Sequence, residues 1–281
     1  MLKRLSNHGD EHTNGTLAMM VHTVKLEKEM TTGSSYLDCF RGTNLRRTEI
    51  CCLIFAGQVM SGSTFAYGPT YFFEQAGMAP SNAYKMNVGG TALAFIGTVL
   101  SWFLIARFGR RTLYLSGLAT LTVVLLIVGI IAASSAHGPG LWVQAGFTVS
   151  WLFVYSLTVG PLAYAIISET SAIRLRAQTV CLARNSYNIT NIISNVLEPY
   201  MINPTEWNWK GKTAFFWAGT AAITTVWAYF RLPEARGRTY EELDILFAKG
   251  VSARNFASYK IDAYAVDAPL VRGQRNEKSH D

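Results

Sequence analysis

Polar side chains able to hold a small molecule occur inside otherwise apolar stretches of this chain. One stretch, GQVMSGSTFAYGPTYFF, contains Gln58, Ser61 and Thr64. Tyr164 lies in a second stretch, YSLTVGPLAY, and Asn188 lies in a third, RNSYNITNIISN. Amides and hydroxyls in apolar surroundings need hydrogen-bond partners, which neighbouring helices or a hydroxyl-rich ligand such as a sugar can supply. The pattern therefore favours either a binding site for such a ligand or polar packing between helices.

Groups for conventional catalysis are not brought together by the sequence. The five histidines all lie outside the apolar stretches, at His8, His12, His22, His137 and His280. None has a partner at the spacing of a metal site or of a nucleophile and its base. The four cysteines form no CxxC pair. We therefore expect no enzymatic activity, no metal site and no cofactor.

Apolar runs of membrane-spanning length dominate the chain. Five runs contain no Asp, Glu, Lys or Arg, and they cover residues 50–73, 86–106, 112–136, 138–168 and 213–230. A helix needs about 20 apolar residues to cross a bilayer, so each run is long enough to span it or nearly so. The chain has 281 residues, of which 50% are hydrophobic and 15% are charged. These features predict an all-α integral membrane protein.

A sixth run, residues 177–202, is apolar apart from Arg184, Glu198 and several amides. Ionisable residues inside a membrane bundle usually face its interior or a water-filled cavity. We interpret this run as a sixth span with one polar face, and a surface amphipathic helix is the alternative. Gly68-Pro69 and Gly160-Pro161 are expected to weaken two of the spans, as in the broken helices of transport sites.

The net charge of +7 comes from basic residues that lie between the apolar runs. This distribution is typical of cytoplasmic loops and not of a nucleic-acid-binding face, so no nucleic acid partner is expected. It predicts three segments: a cytoplasmic N-terminal segment (1–49), a six-helix transmembrane bundle (50–230) and a cytoplasmic tail (231–281). Both termini are then cytoplasmic, and the expected location is the plasma membrane.

Several motifs resemble those of the sugar porters of the major facilitator superfamily. RFGRR is similar to a loop motif of the superfamily, and PEARGRTYEELD resembles the signature that closes the sugar porter branch. QVMSG is similar to the QQxSG motif of that branch. The sequence as a whole resembles fungal α-glucoside (maltose-type) permeases. Sugar porters have twelve helices in two halves. The resemblance implies that this chain corresponds to helices 7–12, with residues 1–49 equivalent to the central loop.

The resemblance also implies site residues. Gln58 matches a sugar-contacting position, whereas Val59, Thr64, Ala94 and Tyr164 stand where hexose carriers have other residues, which implies a remodelled pocket. With Ser61 and Asn188, the expected substrate-binding set is Gln58, Ser61, Thr64, Tyr164 and Asn188. Six further positions match a cytoplasmic ion-pair latch of the family, namely Arg107, Arg110, Arg111, Glu169, Arg176 and Glu234. A purely topological role for the arginines is the alternative.

The expected function is uptake of an α-glucoside in symport with protons by alternating access. Because only one half of the family's bundle is matched, the expected partners are a sugar, the lipid bilayer, and either a complementary N-terminal half or a second copy. The family's proton-coupling acid lies on its first helix, so the resemblance assigns no residue here to that role. The alternatives are a truncated product without transport activity and a non-transporting sugar sensor.

Overall fold

Within the described residues, helices form where the apolar runs predict them, apart from short interruptions. The computed structural model describes residues 35–67, 74, 79–134, 139–256 and 259, and these contain no β-strand. Gly68-Pro69 and most of the two predicted cytoplasmic segments lie outside the described residues. Within them there are nine α-helices: α1 Gly42–Met60, α2 Ser63–Tyr67, α3 Pro80–Arg107, α4 Arg110–Ser134, α5 Pro139–Leu157, α6 Val159–Thr170, α7 Arg176–Ile202, α8 Thr213–Arg231 and α9 Tyr240–Ala248. Short 3₁₀ turns lie at Tyr36–Phe40, Ile173–Leu175, Lys210–Lys212 and Ala253–Asn255.

Three helical segments are long and apolar enough to cross a membrane, judged by length and composition within the described residues. They are Pro80–Arg107, Arg110–Ser134 and Trp142–Thr170. The other three predicted spans correspond to the helices α1, α7 and α8. These helices are not among the three that are long and apolar enough to cross a membrane. The count of six spans therefore remains a prediction.

Two helical passages are interrupted near the middle of the bundle. Thr158 separates α5 from α6 with backbone angles of φ −124° and ψ −82°, just before Pro161. Proline has no backbone N–H and its ring clashes with the preceding turn, so a regular helix does not continue through it. The other interruption, at residues 61–62, separates α1 from α2. Both passages that carry polar residues in GQVMSGSTFAY and YSLTVGPLAY are therefore broken helices.

The interior consists of side chains from several helices. The largest fully buried ones include Trp151, Tyr114, Phe65, Ile54 and Leu118. The most extensive helix contacts pair α1 with α7, α3 with α5, and α4 with α8. These side chains form one core cluster that ties together helices far apart in sequence.

Side-chain contacts gather several helix ends at one end of the bundle. Arg231 at the end of α8 forms an ion pair with Glu49 near the start of α1. Arg47, also on α1, binds the carboxylate of Asp244 on α9 at 2.5 Å. The start of α4 and the end of α6 meet through Arg110 and Glu169, as described below. We call this end the basic end, because it carries Arg41, Arg107, Arg110, Arg174 and Arg231.

Gly117 on α4 lies against the break between α5 and α6. A Cβ atom at this position would stand 2.7 Å from the Cβ of Thr158, which no ordinary contact allows. Small residues let membrane helices approach closely. Replacing Gly117 by alanine should therefore lower stability by about 1–3 kcal/mol, since overpacking forces the helices apart. The measurement is thermal unfolding of the purified, detergent-solubilised chain, followed by tryptophan fluorescence.

Gly146→Ala is the matched control. Gly146 is also in a helix, but a Cβ there meets nothing within 4 Å. Because alanine favours helix over glycine by about 0.5–1 kcal/mol, this variant should unfold at or above the wild-type temperature. A Gly117→Ala variant that unfolds as late as Gly146→Ala would contradict the close packing of α4 on Thr158.

Candidate functional site

A partly open cleft of about 410 Å³ lies among α1, α2, α3, α5, α6 and α7. Small-molecule sites typically enclose about 300–1,000 Å³ and combine apolar walls with a few polar groups. The walls of this cleft follow that composition. They are formed by Gln58, Ser63, Tyr67, Thr98, Tyr155, Ser156, Gly160, Pro161, Tyr164, Arg184 and Tyr187.

Gln58 connects the two broken passages at the edge of the cleft. Its side chain is only 3% exposed, and its amide nitrogen donates a hydrogen bond of 3.0 Å to the backbone oxygen of Gly160. This bond joins α1 to the first turn of α6. A buried amide without such a partner would cost about 1–3 kcal/mol, so the bond holds Gln58 in place.

Aromatic rings line the other walls. Tyr164 is 56% exposed and packs edge to face against Phe55, with ring centroids 5.1 Å apart. Tyr155 stacks on Trp151 at 5.1 Å and meets the ring of Tyr67 edge to face at 6.0 Å. Phenol rings offer an apolar face and a hydroxyl together, which suits a ligand that has both apolar C–H faces and hydroxyl groups.

Arg184 brings a positive charge to the cleft. Its guanidinium carbon lies 4.4 Å from the ring centroid of Tyr187 and 5.9 Å from that of Phe55. A guanidinium over aromatic rings is attracted by their negative faces. Arg184 has no ion pair with a described acidic residue, so its donors remain open to a ligand.

The structure brings together two of the five predicted substrate residues. Gln58 and Tyr164 both line the cleft. Ser61 is buried outside it, and its hydroxyl donates to the backbone oxygen of Gln58 at 2.7 Å. Thr64 is half-buried, and its hydroxyl oxygen has no hydrogen-bond partner in the described structure. Asn188 is exposed on α7, one turn beyond Arg184, and is not part of the lining.

Several lining residues were not in the predicted set. The sequence could have indicated Arg184, because it is the only basic residue in the run 177–202. Tyr187 follows it on the same helix. The sequence did not indicate Tyr155 and Ser156, because a helix that is apolar on every side does not show which of its faces meets the cleft.

Four of the six predicted latch residues contact one another at the basic end. The guanidinium of Arg110 donates to Glu169 at 3.0 Å. Both carboxylate oxygens of Glu234 accept backbone N–H groups at the start of α4, from Arg110 at 3.0 Å and Arg111 at 3.1 Å. The first amides of a helix lack partners within it and carry a partial positive charge, so a carboxylate stabilises them. Glu234 therefore acts as the N-terminal cap of α4.

Gly109 makes this cap possible. A Cβ at position 109 would collide with the carboxylate of Glu234. The glycine in RFGRR thus permits the approach of an acid that is 124 residues away from Arg110 in sequence. The usual reason for a glycine in a short connection, a turn conformation, would not have predicted this contact.

The other latch residues have different partners. The guanidinium of Arg111 donates to the backbone oxygen of Tyr229 at 2.8 Å. Arg176 lies over the ring of Tyr240 at 4.8 Å. Arg107 is exposed. Within the described part of the chain, neither Arg107 nor Arg176 forms an ion pair. The described part of the chain also contains no group of three or more His, Cys, Asp and Glu side chains able to hold a metal.

The fold is similar to that of solved xylose transporter structures. The structure of the proton:xylose symporter XylE bound to 6-bromo-6-deoxy-D-glucose superposes with a TM-score of 0.67 and 18% identity, over 85% of this chain and 49% of that one. The inward-open xylose transporter XylE from E. coli superposes with a TM-score of 0.52 and 19% identity, over 69% and 42%. The expectation of an all-helical fold is confirmed for the described residues, whereas the count of six membrane helices and the match to one half of a transporter remain predictions.

The family follows from the sequence comparison. The family model described as sugar (and other) transporter matches residues 1–247, and the chain belongs to this family. It is 40% identical over 250 residues to the alpha-glucosides permease MPH2 of Saccharomyces cerevisiae, over 88% of this chain and 41% of the permease. It is 37% identical over 244 residues to the maltose permease MAL31 of the same organism, over 86% and 40%. The chain thus spans about two fifths of the length of these relatives.

These findings confirm the resemblance drawn from RFGRR and PEARGRTYEELD. The relatives are permeases and not enzymes. Together, the family and the apolar helices identify a multi-pass membrane protein.

Replacing Glu234 by glutamine should weaken the cap of α4. Glutamine has one acceptor oxygen and no charge, so it loses one of the two N–H bonds and the attraction of the helix terminus. The expected loss is about 1 kcal/mol, seen as a lower unfolding temperature in detergent. Glu206→Gln is the control, because Glu206 is exposed in the loop between α7 and α8. Equal unfolding temperatures for the two variants would disprove the capping role.

Proposed function

We propose that this chain forms the second half of a sugar porter that carries an α-glucoside such as maltose across the membrane. The observation that carries the proposal is the cleft lined by Gln58, Tyr164 and Arg184 in a chain about 40% identical to α-glucoside permeases. Amide, phenol and guanidinium groups are donors and acceptors suited to sugar hydroxyls, and the rings give apolar surface for the sugar's C–H faces.

Transport in this proposal proceeds by alternating access. The cleft is open on one side, and a second six-helix body would close it around the sugar from that side. The helix breaks at Thr158 and at residues 61–62 let short segments beside the cleft move without unwinding whole helices. Coupling to protons is included on the strength of the family resemblance.

The charged cluster at the basic end acts as a latch in this scheme. The Arg110–Glu169 pair and the Glu234 cap join the ends of α4, α6 and α8. Forming these contacts in one state and breaking them in the other would bias the two-state equilibrium by a few kcal/mol. Arg107, Arg111 and Arg176 are included in the latch as residues that change partners between states.

The proposed topology places the basic end in the cytosol of a plasma-membrane protein. Arginines near membrane ends are retained on the cytoplasmic side. Residues 1–49 and 231–281 would then be cytoplasmic, with 50–230 forming six spans. The contact between Glu49 and Arg231 supports this arrangement, because it joins the two ends of the proposed bundle on one side.

Substitutions in the cleft test the sugar site. Gln58→Ala and Tyr164→Ala should each weaken maltose binding by about tenfold, the loss expected when one hydrogen-bonded contact worth about 1.4 kcal/mol is removed. Binding to the purified chain can be followed by ligand-observed NMR, which detects weak association. Asn195→Ala is the control, because the Asn195 amide bonds its own helix at Asn191 outside the cleft. Unchanged affinity in both cleft variants would refute the site.

A complementary half or a second copy is the proposed partner. Arg184 is exposed at the middle of a helix assigned to the membrane, and a charge facing lipid is costly. The chain alone should therefore show no uptake of labelled maltose in liposomes. Co-insertion with the separately expressed first six helices of an α-glucoside permease should restore it. Saturable uptake by vesicles that each hold one copy of this chain would contradict the requirement for a partner.

A further inference from the structure

A second pocket, which shares no residue with the sugar cleft, lies at the basic end. Its volume is about 270 Å³, and its lining comes from the segment before and at the start of α1 and from the connection between α6 and α7. The lining residues are Asp38, Arg41, Asn44, Ala172, Arg174 and Leu175. Two arginines from separate parts of the chain therefore face one small cavity.

The positive charge in this pocket is compensated only in part by the protein. Arg41 and Arg174 are both exposed, and neither forms an ion pair or a side-chain hydrogen bond within the described residues. The carboxylate of Asp38 lies in the same pocket, but one of its oxygens accepts the backbone N–H of Ser35 at 3.1 Å. That bond belongs to a capping box at the start of the turn Tyr36–Phe40. Asp38 therefore has a structural role and offsets one of the two arginines, and the pocket keeps a net positive charge and two guanidinium forks for an anion.

Exposed apolar side chains are next in sequence to residues that line the pocket. Leu37 is 65% exposed, Phe40 52% and Ile173 44%, and they neighbour Asp38, Arg41 and Arg174. Apolar side chains beside arginines are typical of protein surfaces at the boundary between lipid tails and headgroups, where the rings and aliphatic groups enter the tails. A multi-pass membrane protein has such a boundary at the ends of its helices. The pocket therefore lies where lipid headgroups are available.

We propose that this pocket binds the phosphate of an acidic phospholipid, with Arg41 and Arg174 holding the headgroup and Leu37, Phe40 and Ile173 contacting the acyl chains. Guanidinium groups bind phosphate oxygens through paired hydrogen bonds, and two of them from different segments give the site its geometry. The lipid would join the start of α1 to the connection between α6 and α7. The apolar rim favours a lipid over free phosphate, which would gain nothing from it.

Lipid binding to the purified full chain in an uncharged detergent tests this site. Native mass spectrometry counts bound molecules of dioctanoyl phosphatidylserine and dioctanoyl phosphatidylcholine at equal concentrations. Phosphatidylserine should bind at least tenfold more tightly. Arg41→Gln and Arg174→Gln should each weaken its binding about fivefold, the effect expected of one basic residue at an anionic lipid surface. Binding of phosphatidylcholine should fall less, because its choline group offsets the charge of its phosphate.

Arg236→Gln is the matched control, since Arg236 is an exposed arginine after α8 that lies outside the pocket. It should bind phosphatidylserine like the wild type, which separates the pocket from overall charge. Arg41→Lys keeps the charge and should recover part of the affinity, which separates binding from misfolding. The proposal is overturned by equal binding of the two lipids, by an equal loss in Arg236→Gln, or by displacement of phosphatidylserine by inorganic phosphate at the same concentration.

Discussion

Hydrocarbon offers no hydrogen-bond partner to a backbone amide, so a chain that crosses it must pair its polar groups within the protein. This constraint explains why the described residues are helical, and it extends to the side chains. The hydroxyls of Thr98 and Thr190 each bond the carbonyl four residues earlier in their own helix, and that of Thr158 bonds the carbonyl of Val154 in α5. Glu198, on α7, accepts the indole N–H of Trp217 at 2.6 Å. Each polar group inside the bundle thus needs a local or a tertiary partner.

The broken helices meet this constraint and create the cleft at the same time. An interruption removes regular helical bonds, and the groups beside it must find other partners. Gln58, next to the break at residues 61–62, bonds the carbonyl of Gly160, next to the break at Thr158. The two weak points therefore support each other across the bundle. The cleft lies beside both breaks, and polar and aromatic side chains line it.

Apart from Arg184 and Glu198 on α7, the charged residues of the described bundle lie near its ends. At the basic end they form contacts between helices. Arg231 pairs with Glu49 and Arg47 with Asp244, so the start of the helical bundle is held against its end and against α9. Glu234 caps α4 while Arg110 pairs with Glu169. One surface thus combines structural ion pairs, the proposed latch and the proposed lipid pocket.

Apolar runs and the motifs RFGRR and PEARGRTYEELD are local patterns, and they were enough to predict the helical class, three of the spans, the basic connections and the family. The sequence also indicated Gln58 and Tyr164, which line the cleft. Three features needed the folded structure: Ser61 bonds its own helix, Arg184 and Tyr155 line the cleft, and Glu234 binds backbone amides instead of a guanidinium. Helices that are apolar all round do not encode which face meets which neighbour, and partners 124 residues apart are joined only by packing.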